Sequence, residues 1–184
     1  MLTTLYSFCS KTGCTDGEYP EAGLIQGTDG NFYGTTAGAG ANYGTVYSIT
    51  EGGALSTLHN FAGYPTEGSY AAGAIFQGTN GKFYGTTAEG GAYAGGTVFS
   101  LSVGLGPFVE THPASGKVGA ATKILGTDLT GATSVSFNGT EAAFTVVSPT
   151  LITTTVPPAA TTGTVQVVTS NGTLSSNVPF RVLP

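Results

Sequence analysis

At 184 residues the chain has room for one or two domains. Its formal net charge of −5 includes only five Lys and Arg, too few and too scattered to displace the counterions of a nucleic acid or an anionic membrane. Thirty glycines, no Trp and 8% charged residues exclude an ordinary helical protein, whereas 40% hydrophobic content in short regular runs excludes disorder, and no apolar run approaches the roughly 20 residues of a membrane span.

Met1 leads straight into a strand-like run, Leu2-Thr-Thr-Leu-Tyr-Ser-Phe8, with no signal peptide ahead of it. The native start is therefore expected upstream, or the reading frame is a piece of a longer gene. The next runs form a unit that the chain states twice. Gln26-Gly-Thr-Asp-Gly-Asn-Phe-Tyr-Gly-Thr-Thr36 returns as Gln77-Gly-Thr-Asn-Gly-Lys-Phe-Tyr-Gly-Thr-Thr87. Leu2–Phe8 returns as Leu55-Ser-Thr-Leu-His-Asn-Phe61, and Gly44-Thr-Val-Tyr-Ser-Ile49 as Gly96-Thr-Val-Phe-Ser-Leu101. A repeat of about fifty residues points to a propeller blade or a solenoid unit.

Each repeat reads as four short strands, near residues 2–8, 23–26, 31–36 and 45–50 in the first and 55–61, 74–77, 82–87 and 97–102 in the second. Asp29-Gly30 and Asn80-Gly81 sit where a two-residue hairpin wants φ > 0 at both central positions. The strands are apolar on both faces, as a sheet stacked between other sheets requires. Four antiparallel strands per repeat, covered on both sides, describe a propeller-type blade, with blades at 1–52 and 53–103.

These residues resemble the GloVer tandem repeat of large bacterial choice-of-anchor surface proteins. The likeness rests on Cys9, Cys14, Asp16, Gly17 and Leu24–Thr36, and covers about residues 1–103. The second copy lacks both cysteines and has Asn80 in place of the Asp. The resemblance implies a repetitive, β-rich extracellular protein and supplies no established active site. With the family pattern and an exported setting behind it, Cys9–Cys14 is expected as a disulfide around Ser-Lys-Thr-Gly, with free thiols as the alternative; zinc lacks further Cys or His ligands nearby. Sparse charge and Thr/Gly/Ser-rich strands fit the same extracellular or cell-surface setting.

Three residue sets carry candidate chemistry. Asp16, Glu18 and Glu21, with Glu67 opposite Asp16 in the second repeat, offer hard oxygen ligands for Ca²⁺ on turn-rich loops, or merely a solvated acidic face. His59, in place of Tyr6, could face a central channel and deprotonate water beside such an ion, which is the alternative reading of a Ca²⁺-assisted lactone or ester hydrolase. Tyr43 and Tyr93 in the Gly-rich loops 37–44 and 88–96, with Asn31, Tyr33, Lys82 and Tyr84, offer aromatic faces and polar donors for a glycan; Tyr33 and Tyr84 also suit a blade core. Two blades leave both outer faces bare, so a cyclic homo-oligomer is expected, on a plan similar to that of small two-blade bacterial lectins.

Gly104-Leu-Gly-Pro107 reads as a linker. Beyond it, strict alternation at Val135/Phe137, Phe144/Val146, Ile152/Thr154/Val156, Val165/Val167 and Val178/Phe180/Val182 predicts an immunoglobulin-type β-sandwich over 104–184. Pro113, Gly116, Ile124, Gly126, Leu129, Val135-x-Phe137-Asn-Gly139, Val156-Pro157 and Gly163-x-Val165-x-Val167 resemble an IPT/TIG domain. That resemblance implies a spacer, since Lys117, Lys123 and Arg181 make too small a basic set for DNA. The sequence thus predicts an all-β extracellular module for adhesion or binding, directed at a glycan, with no nucleic-acid partner and no membrane insertion.

Overall fold

The computed structural model describes residues 1–38 and 43–184. Most of the first Gly-rich loop, 39–42, lies outside the described residues. The chain is all-β and divides into two compact units, one of residues 1–78 with 82–105 and the other of 79–81 with 106–184.

In the first unit the strands are β1 (Ile25–Gln26), β2 (Phe32–Thr36), β3 (Thr45–Ile49), β4 (Leu55–Asn60), β5 (Gly68–Ser69), β6 (Phe76–Gln77), β7 (Phe83–Thr87), β8 (Glu89–Gly90) and β9 (Thr97–Leu101). They form a four-stranded antiparallel sheet ordered β1-β2-β3-β4, a three-stranded one ordered β6-β7-β9, and the short pair β5-β8. This corrects the expected strand sets. The first sheet takes its fourth strand from the start of the second repeat, with Val46 opposite His59 and Ile49 opposite Leu55. The corresponding segment of the first repeat, Leu2–Phe8, forms no strand.

The hairpin turns also differ from expectation. Gly30 has φ 85° and Gly81 φ 81°, but Asp29 and Asn80 stay at negative φ. The loop is a three-residue one: Gly30 N–H donates to the Gly27 carbonyl and Gly27 N–H to that of Asn31, so only the glycine must turn left-handed. In the second repeat Gly78 N–H likewise donates to the Lys82 carbonyl.

Alternation along the strands decides what each sheet buries. Ile25, Tyr33 and Val46 share the face of the first sheet that meets Ile75 and Phe83 of the second, and Phe61 and Ala71 complete this core. Tyr33 and Phe83 stack with ring centroids 4.2 Å apart. Since Phe83 corresponds to Phe32 and not to Tyr33, opposite faces of equivalent strands meet. The two sheets are therefore stacked in the same sense, one behind the other.

The second unit holds β10 (Glu110–His112), β11 (Ser115–Lys117), β12 (Ala121–Leu125), β13 (Ser134–Phe137), β14 (Thr140–Glu141), β15 (Phe144–Ser148), β16 (Leu151–Thr155), β17 (Val165–Thr169), β18 (Gly172–Ser175) and β19 (Arg181–Leu183). Sheets ordered β10-β12-β16-β15 and β14-β13-β17-β18 enclose one core of Ile124, Ile152, Val135, Phe137, Val165, Val167 and Phe180. The alternating residues of the sequence point inward, except Val178, which is exposed and leaves Phe180 and Val182 to carry the last run, and Asn138-Gly139 turns with both φ positive, as its dipeptide demands. β11 and β19 pair in parallel.

Candidate functional site

A cleft of about 280 Å³ opens in the first unit between β4 and β9. Its wall is apolar, with Phe61 and Phe99 edge to face at 5.1 Å. Its polar side chains are His59, Glu67, Thr66, Thr97 and Ser100. His59 lies on the face of β4 shared with Val46, turned toward the second sheet by the bulge that admits Leu58. Its Nε2 is 3.1 Å from the Glu67 Oε2, which also accepts the Ala62 N–H at 2.9 Å. Both side chains keep more than a third of their surface open to solvent. The sequence assigned these two residues separate roles, a base and a Ca²⁺ ligand; the fold makes them one pair.

The same pair exists in the first repeat with different residues. The Tyr6 hydroxyl donates to Asp16 Oδ2 at 2.6 Å, as His59 meets Glu67. Asp16 is fully buried and also accepts from the Ser10 N–H and hydroxyl and the Lys11 N–H. Burial alone would raise its pKa, but the hydrogen bonds from Tyr6 and Ser10 outweigh it and hold the carboxyl well below the usual range. The Tyr6 phenol is raised in turn, first by that bond to Asp16. Backbone passes close in both copies: a Cβ on Gly17 would strike Thr36, and one on Gly68 would strike Thr87.

The four expected Ca²⁺ ligands are not gathered. Among the described residues the cluster of three metal-capable side chains within 4.8 Å is Cys9, Cys14 and Glu18. Cys9 and Cys14 are joined as a disulfide, which removes their thiolates. Glu21 accepts a long contact from the Tyr70 hydroxyl at 3.5 Å, and Asp16 has its oxygens filled as above. Only Glu67 of the set borders the cleft.

Nor do the expected glycan residues converge. Tyr33 is buried in the packing between the sheets, its hydroxyl donating to Asp29 at 2.9 Å. Asn31 Nδ2 donates to the same carboxylate at 2.7 Å. Tyr84 lies on the opposite face of the second sheet, stacked on Phe76 at 5.4 Å, and Lys82 is exposed at the start of that hairpin. Tyr43 packs its ring against Gly63 and keeps one face open, while Tyr93 is 97% exposed. Phe61, Phe99, Thr66 and Thr97, none of them expected as site residues, build the cleft instead. A signal for them was present: an aromatic stands at 8 and 61, and again at 47 and 99, and Phe8 meets Tyr47 at 5.0 Å as Phe61 meets Phe99.

The Gloeobacter/Verrucomicrobia repeat model matches residues 1–145, which carries it past both repeats and into the second unit. No curated protein matches the chain. Among solved structures, SGBP-B from a complex xyloglucan utilization locus in Bacteroides uniformis is 14% identical, with a TM-score of 0.36 over 73% of this chain and 35% of that one. The chain thus spans little more than a third of that protein, and a likeness this distant carries no inference about ligand.

Proposed function

Since this chain belongs to the Gloeobacter/Verrucomicrobia repeat family, we propose that it is an extracellular binding module directed at a glycan, with the second unit as an IPT/TIG-like spacer. The observation that carries this reading is the cleft between β4 and β9. It sets a wall of Phe61 and Phe99 beside a carboxylate, an imidazole and two threonine hydroxyls. A sugar ring needs that combination, because its CH face packs on aromatics while its hydroxyls need acceptors and donors at fixed positions. The Cys9–Cys14 disulfide supports an oxidising, exported setting. Among the described residues no helix is long and apolar enough to cross a membrane. The stacked sheets are read as propeller blades, completed by a ring of copies.

Calorimetric titration of a panel of soluble oligosaccharides against the wild type, His59→Ala and Glu67→Gln tests the reading. Binding that weakens at least tenfold in both variants supports it, and binding unchanged in both removes the cleft as the site. The second reading, a Ca²⁺-assisted lactone or ester hydrolase, draws on the His59–Glu67 contact, since a carboxylate can orient an imidazole base. It requires turnover that chelation and His59→Ala both abolish, whereas cleft-based binding survives chelation.

A further inference from the structure

Val46 and Val98 hold the same place in successive repeats, yet Val46 is 1% exposed and Val98 is 80% exposed. The difference has two physical sources. Val46 is covered by the second sheet, and its strand β3 is paired on both sides, by β2 and β4. Val98 has no sheet in front of it among the described residues, and β9 is paired only with β7. Phe76, equivalent to the partly buried Ile25, is likewise 60% exposed on this face. The edge of β9, Thr97-Val-Phe-Ser-Leu101, carries no charge and no proline, the usual protections of an unpaired edge.

The chain also holds an unpaired copy of what is missing. Leu2–Ser7 repeats Leu55–Asn60, the strand that pairs with β3, but forms no strand itself, and Leu2 and Leu5 are exposed. Its C-terminal end is nevertheless placed as in the second repeat, with Phe8 on Tyr47 and Tyr6 on Asp16.

We propose that Leu2–Ser7 of one copy adds to the β9 edge of a second copy as the fourth strand of its second sheet. This rests on the ring reading above and deepens it. The register follows from the pairing of β3 with β4: Ser7 opposite Thr97, Tyr6 opposite Val98, Thr4 opposite Phe99, Thr3 opposite Ser100 and Leu2 opposite Leu101. The added strand carries its own first sheet with it, so that Val98 and Phe76 become covered as Val46 and Ile25 are. The interface is the sheet stacking already present within the chain, repeated between chains. Main-chain hydrogen bonds supply the affinity and the alternate side chains the register. Thr4 then faces the cleft beside Phe99, so the ligand site is completed by the neighbouring copy. The contact is heterologous, and with two sheets per chain a closed propeller of about four to eight blades takes roughly two to four copies.

The test is native mass spectrometry with two variants. Val98→Lys leaves an exposed position exposed within one chain but places an ammonium inside the interface, so circular dichroism and thermal unfolding of the monomer serve as the folding control. The wild type is expected as one closed oligomer and Val98→Lys as a folded monomer. The pair Thr3→Cys with Ser100→Cys is expected to cross-link between chains on oxidation, and Thr3→Cys with Val98→Cys, shifted by two residues, is not. A wild type that is monomeric at all concentrations overturns both the ring and the strand addition. An oligomer that survives Val98→Lys, or a Thr3–Ser100 link that forms within one chain, overturns the strand addition and leaves the ring standing.

Discussion

The Tyr33 ring stacks on Phe83 at 4.2 Å and 29°, joining equivalent strands of two repeats through opposite faces. Phe83 is fully buried at the centre of this join. Phe83→Ala leaves a cavity there that neighbouring backbone cannot fill, and is expected to destabilise the first unit by about 3–5 kcal/mol. Denaturant unfolding checks this, and a loss below ~1 kcal/mol would mean that the two sheets do not depend on each other.

The same tyrosine sets an alkaline limit. Burial raises the Tyr33 phenol first and its bond to the Asp29 carboxylate raises it further, to about 12. A folded-state value above the unfolded one means that the stability is complete below the ordinary phenol pKa of 10.0 and is lost as pH rises through about 12. Burial raises Tyr47 in the same direction. Tyr33→Phe should therefore flatten, though not abolish, the fall of the denaturation midpoint across that window. An unchanged fall would place the titrating group elsewhere.

Much of this join was legible in the sequence. A fifty-residue repeat with strands apolar on both faces predicts stacked sheets, and stacked sheets are found. The strand exchange between repeats was not legible, because a sequence period does not say where a sheet begins: Leu2–Phe8 and Leu55–Phe61 read identically, and only pairing distinguishes them. The cleft was half legible. His59 stood out as a departure from Tyr6 and Glu67 as the counterpart of Asp16, but the bulge at Leu58 that turns His59 toward the second sheet has no sequence signature. Tyr33 and Asn31 looked like donors for a ligand, and Asp29, in the same hairpin, takes both.

On the acid side Asp16 dominates. Its carboxyl lies below its unfolded value, so its contribution is present above the ordinary carboxylate pKa of 3.8 and is lost as pH falls below it toward the lower folded value. Asp16→Asn keeps the shape but exchanges an acceptor of four bonds for a weaker one with its own N–H donors. The expected cost is about 1–3 kcal/mol near neutral pH, shrinking in acid. Unfolding curves at neutral pH and in acid check both halves, and a cost that does not shrink would mean that Asp16 is not charged in the folded state.

The disulfide closes a loop five residues apart in sequence, and the second repeat spans the matching interval, Phe61 to Glu67, with two residues fewer and no cysteine. Loop-closure entropy for so short a ring is about 2 kcal/mol. Cys9→Ser with Cys14→Ser should thus lower stability by roughly that amount and leave ligand binding at the cleft, which the bond does not border, unchanged. Calorimetry of the variant with a bound saccharide separates the two effects.

The paired repeats give a direct way to ask whether His59 is there for stability or for a ligand. Tyr6 with Asp16 and His59 with Glu67 are two solutions to one structural requirement, an aromatic donor fixed to the carboxylate of the following turn. Replacing His59 and Glu67 together, as His59→Tyr with Glu67→Asp, installs the first repeat's solution in the second. Exposed pairs of this kind contribute about 0.2–1 kcal/mol, so the exchange should leave unfolding nearly unchanged. The cleft, however, loses its imidazole and has its carboxylate drawn back by one methylene. If the departure from the first repeat serves binding, saccharide affinity falls at least tenfold while stability holds. If affinity holds as well, His59 is only the second repeat's version of Tyr6, and the ligand must be sought on the open rings of Tyr43 and Tyr93.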